Sequence, residues 1–170
     1  MSMYSEFIHD FAERTLANLE LIQQEQKENQ RFEATQLINS LLGMLVFIQE
    51  KELQEKQWDK NIAQYQSFQN QELKINWIDE TRKDKDIERF GEPDSMKAVI
   101  YHMRNAIAHC GIEPISCEEP NSNEISGFIF RDSLHSRNDE REREPYWELE
   151  LRLGTIEQIA RDLIEYIKES

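Results

Sequence analysis

The chain has 170 residues, with 20 Lys and Arg against 34 Asp and Glu, for a net charge of −14 at pH 7. Such a length suits a single domain, 1–170, with a real core. Such acidity repels bulk nucleic acid and excludes a long electrostatic groove for it. Two cysteines, Cys110 and Cys117, make no disulfide framework, which suits a reducing, cytoplasmic setting.

The start, Met-Ser-Met-Tyr-Ser-Glu, has no basic region followed by an apolar core, so no leader is expected. Phe7, Phe11, Leu19 and Ile22 predict a first helix over about 3–28, with His9 on its surface. A second helix is expected from Phe32 to about Gln54, and it is apolar nearly all round, the pattern of a central element. Its apolar run from Leu41 to Ile48 is too short to cross a bilayer. Thr35, Asn39 and Gly43 recur at every fourth position as a small, polar stripe. That stripe suggests close approach of another helix, with Asn39 and Thr35 supporting its polar groups; equally, Asn39 serves a buried backbone group.

Residues 51–93 read as a polar insertion. Trp58, Ile62 and Tyr65 fit one helical stripe, and Leu73 to Ile78 suits a short strand or an irregular anchor. The aromatics either pin the insertion to the core or stack RNA bases. The mixed-sign run Arg82 to Asp86 reads as a solvated face.

The stretch from Asp94 to Pro114 carries the chemistry. Met96, Val99, Ile100, Met103 and Ile107 define an amphipathic helix, with Asp94 or Ser95 to cap it. Gly111 is expected to supply the left-handed exit, and Pro114 to forbid resumption. Asn105 and His109 are four apart and share a face; the long Arg104 fork can swing onto it. A guanidinium, an amide and an imidazole at one helix end suit proton transfer at a phosphodiester. The helix dipole favours the protonated imidazole there. The alternative is that Arg104 pairs with a nearby carboxylate and His109 caps its own carbonyls. His102, His109, Cys110 and Cys117 match no common zinc spacing, so no metal is expected. Cys110 diverges from His109 and makes a poor nucleophile.

Residues 115–153 form a β-hairpin region, with strands Ile125–Phe130 and Tyr146–Leu153 and a charge-balanced loop over 131–145 that holds His135. Thr155 is expected to cap a last helix with Ile156, Ile159, Leu163, Ile164 and Ile167 on its apolar face.

Arg-Asn-Ala-Ile-Ala-His, from Arg104 to His109, resembles the Arg-(Asn/Asp/His)-x3-His signature of the HEPN superfamily. The block from Thr35 to Gly43 resembles a HEPN group found on plasmids and other mobile DNA. The resemblance implies a mainly α fold, an antiparallel helical bundle to which this chain adds its small C-terminal β-hairpin, and a homodimer through the 94–111 helix. It further implies a metal-independent endoribonuclease, toxin or phage-defence effector, that needs no cofactor. Arg104 and His109 would be catalytic and Asn105 would position them. RNA would be the substrate, and an antitoxin or regulatory protein a partner. HEPN toxins controlled by a nucleotidyltransferase carry a tyrosine two places after the histidine; here that place is Gly111, so such control is not expected. The competing readings, suited to the acidity, are a non-catalytic HEPN module that binds a protein or a nucleotide, and an antitoxin-like partner for a basic protein.

Overall fold

The computed structural model describes residues 10–11, 13–18, 20–21, 33–51, 74–90, 92–117, 125–133 and 145–169. Five helices and four strands occur among them. Residues 10–11, 13–18 and 20–21 are helical (α1). There follow α2 (Glu33–Lys51), β1 (Lys74–Trp77), α3 (Glu80–Phe90), α4 (Met96–Ala108), β2 (Ile112–Ser116), β3 (Ile125–Ser133), β4 (Pro145–Arg152) and α5 (Leu153–Glu169). Expectations for His9, for Trp58 to Tyr65 and for His135 lie outside the described residues.

The expected helical bundle is overturned. The four strands form one antiparallel sheet in the order β1-β4-β3-β2. The hairpin strands β3 and β4 pair with each other, but as the two central strands. A lone hairpin would leave two edges with unpaired backbone groups. Here β1 covers one edge and β2 the other. β1 is the short strand that is one of the two readings for Leu73 to Ile78, whereas β2, five residues long, is too short for a periodic pattern to stand out. Pro114 further conceals β2 in the sequence, since it has no N–H to donate, yet it is tolerated on an edge strand.

The sheet has one apolar face. Alternation puts Phe128 and Phe130 of β3 opposite Leu151 and Leu149 of β4, all buried. One step further along that face, Asp132 stands opposite Trp147. α4 packs on β3, and α2 and α5 close the layer above. Leu37, Leu41 and Leu45 of α2 join Met96, Val99, Ile100 and Met103 of α4, with Ile156, Ile159, Leu163 and Ile164 of α5, in one core. Leu41 is fully buried; its truncation to Ala costs about 2–5 kcal/mol.

Gly43 admits a different neighbour from the one expected. A Cβ there would press within 2.7 Å of the Phe11 ring, so the small residue on α2 makes room for α1. Thr35 and Asn39 on the same stripe are exposed.

Candidate functional site

Ser95 caps α4: its hydroxyl accepts from the Ala98 N–H at 3.2 Å. Asp94 instead accepts from the Trp77 indole at 3.4 Å. At the other end the helix closes in a Schellman arrangement, with Gly111 N–H donating to the Ala106 carbonyl at 2.7 Å and Cys110 N–H to Ile107 at 3.2 Å. The left-handed residue is Cys110, at φ 59°, and not Gly111. Gly111 is required for another reason: a Cβ on it would run into the Arg131 carbonyl of β3.

His109 is the C-cap of α4 and is exposed, as is Cys110. His109 borders an open cleft of about 460 Å³ shared with Cys110, Glu113, Arg131, Ser133 and Pro145. Arg131 in that cleft is matched by Glu113 and by Glu148, the latter at 2.7 Å. Those carboxylates push the Arg131 guanidinium above its ordinary pKa, so this cation is already neutralised.

Arg104 and Asn105 are half-buried on α4. Arg104 Nη1 donates to Asn105 Oδ1 at 3.1 Å, and Arg104 Nε is shielded with no hydrogen-bond partner among the described residues. Nor does Arg104 pair with a carboxylate there. Arg104 does not line the His109 cleft; one chain joins Arg104 to Asn105 and holds His109 at the neighbouring helix end. Asn39 and Thr35 are not hydrogen-bonded to either motif residue among the described residues. The contact expected from Asn39 is made by Asp132: Asn105 Nδ2 donates to Asp132 Oδ2 at 3.1 Å.

Asp132 opens onto a cluster that the sequence reading missed. Its Oδ2 also accepts from Tyr146 Oη at 2.8 Å and lies 2.9 Å from His102 Nδ1. His102 is fully buried. Its Nε2 lies 3.1 Å from Asp86 Oδ2 but outside hydrogen-bond alignment, so that contact is between charges. Asp86, assigned to a solvated face from its charged neighbours, thus turns inward from α3. The imidazole stacks on Trp147 at 4.7 Å between centroids and meets Trp77, Phe90, Tyr101 and Tyr146 edge-on. Burial opposes the His102 charge, but the hydrogen bond to Asp132 and the charges of Asp132 and Asp86 outweigh it and raise the pKa. Burial, together with the Asp132 charge, pushes the Tyr146 phenol far up, so it remains a donor.

Two signals pointed here. The β3 alternation, carried past Phe130, puts Asp132 on the apolar face, and His102 lies three residues from Val99 on the buried side of α4. A buried acid and a buried imidazole each require a partner.

Among the described residues no group of three or more His, Cys, Asp or Glu is arranged to hold a metal ion. No helix there is long and apolar enough to cross a membrane. A family model described as HEPN pEK499 p136 matches residues 1–170. No curated protein and no solved structure matches the chain.

Proposed function

The chain belongs to the HEPN pEK499 p136 family, and we propose that it is a metal-independent endoribonuclease that works as a homodimer through the 94–111 helix, as a toxin or phage-defence effector. The observation that carries this reading is the state of Arg104. In a chain of net charge −14, its guanidinium is held by the Asn105 amide and by no acid among the described residues. Its positive charge therefore remains to be spent on a phosphate.

The chemistry follows from the groups present. The 2′-hydroxyl oxygen of RNA attacks the adjacent phosphorus and the bond from phosphorus to O5′ breaks, leaving a 2′,3′-cyclic phosphate and a 5′-hydroxyl. His109 takes the proton from the 2′-hydroxyl, and His109 of a second copy returns one to O5′. Arg104 stabilises the charge that builds on the non-bridging oxygens. The acidic surface limits such an enzyme to a small positive focus where two Arg104 side chains meet.

Labelled RNA incubated with the protein and excess chelator provides the test. Cleavage to cyclic-phosphate ends is expected, falling by roughly 10²–10⁴-fold in His109→Ala. Equal cleavage by that variant overturns the proposal. One observation favours a second reading, a non-catalytic module for a protein or nucleotide: the same charge of −14 repels polyanions. Absence of cleavage together with stoichiometric binding of a basic protein or a nucleotide supports that reading.

A further inference from the structure

We propose that Asp132, held by His102 and Tyr146, is a positioning residue for the motif: it sets which way the Asn105 amide faces, and through that amide it orients the Arg104 guanidinium. The catalytic consequence rests on the ribonuclease reading of Arg104.

The argument begins with the ambiguity of an asparagine. Its amide presents an oxygen on one side and an NH2 on the other, and a half-turn exchanges them. Arg104 has only donors, so it binds Asn105 only when Oδ1 faces it. An ionised carboxylate has only acceptors, so it demands the NH2. Placed on opposite sides of one amide, Arg104 and Asp132 leave a single orientation that satisfies both. The observed bonds are those two: Asn105 Nδ2 to Asp132 Oδ2 at 3.1 Å and Arg104 Nη1 to Asn105 Oδ1 at 3.1 Å.

Asp132 can select only if it is itself immobile. It is buried, on the inner face of a central strand. His102 lies three residues before Asn105 on α4, hence on the same face, and both donate to the same oxygen. The Tyr146 hydroxyl donates to that oxygen from β4. Three donors from two elements converge on Oδ2, and Asp86 of α3 supplies a second carboxylate to the imidazole. The sheet is thereby tied to the motif helix by polar contacts, in addition to the apolar core.

The experiment pairs kinetics with a spectroscopic readout that requires no activity. In the 15N–1H spectrum of the full chain, the Asn105 side-chain amide is assigned by its disappearance in Asn105→Ala. One of its protons is expected to be shifted downfield and slow to exchange, and both properties should be lost in Asp132→Asn. Tyr146→Phe removes one donor and leaves the ion pair intact; it should move the same resonance by a smaller amount and carries the test if Asp132→Asn fails to fold. In RNA cleavage, Asp132→Asn should lower kcat by about 10- to 100-fold with KM little changed. Combined with Asn105→Ala, it should add no further loss. An unmoved Asn105 resonance, or kcat losses that multiply in the double variant, overturns the proposal. If the wild-type chain cleaves no RNA, the ribonuclease reading falls while the amide resonance still decides whether Asp132 orients Asn105.

Discussion

Gly111 and Arg131 hold each other by the backbone: Arg131 N–H donates to the Gly111 carbonyl at 2.7 Å, and the Arg131 carbonyl occupies the place a Gly111 side chain would need. The exit of the motif helix is thereby pinned to β3. Gly111→Ala should destabilise the fold by about 1–3 kcal/mol, the usual cost of overpacking. One residue earlier the sign reverses. Cys110 sits at φ 59°, which costs a side chain about 1–2 kcal/mol. Cys110→Gly should stabilise by up to about 1 kcal/mol after the added freedom of the unfolded chain is counted. Urea unfolding of the two variants checks both signs.

His102 should make stability fall on the alkaline side. Asp86 from α3 and Asp132 from β3 face it, together with Trp77, Phe90, Tyr101, Tyr146 and Trp147. Its pKa in the fold lies above the ordinary 6.5. A raised folded value means the charged form is favoured by folding. Its contribution is complete below about 6.5, the unfolded value, and is lost as pH rises through the folded one. Thermal unfolding across that range should show Tm declining above neutrality, and the decline should be shallower in His102→Gln. A wild-type curve flat through that range would contradict the assignment.

Arg104→Lys should preserve charge and lose catalysis. A lysine offers a point charge on a flexible stem in place of the planar fork that rests one nitrogen on Asn105 Oδ1 and keeps the others for a phosphate. A fall in kcat of about 10²–10³-fold is expected. The melting temperature should hold within a few degrees. Single-turnover RNA cleavage separates this from a folding defect.

The proposed dimer predicts a cross-link. Cys110 is an exposed free thiol at the end of the motif helix. If two such helices face each other, a short bis-maleimide should join two chains through Cys110 in a Cys117→Ser background. Cys110→Ser in the same background should abolish the product. A wholly monomeric product from the Cys117→Ser chain, at concentrations where light scattering reports a dimer, would place the interface elsewhere.

Much of this molecule is written in local pattern. The apolar spacing of Met96, Val99, Ile100 and Met103, with Ser95 ahead of it, marks α4, because a helix buries residues within a turn or two of one another. The alternation through Trp147, Leu149 and Leu151 likewise marks the inner face of β4. Arg104 to His109 and the block from Thr35 to Gly43 suffice to point to the HEPN superfamily. Tertiary structure alone decided the rest. β2 is a strand because an open edge awaited it, and of the two readings open for Leu73 to Ile78, a strand or an irregular anchor, pairing with the β4 edge selects the strand. Asp86 and Asp132 meet His102 across gaps of 16 and 30 residues, and no local period encodes such a meeting. A charge run looks solvated until the fold brings a buried partner within reach, since the free energy of a carboxylate depends on what surrounds it and not on its neighbours in the chain.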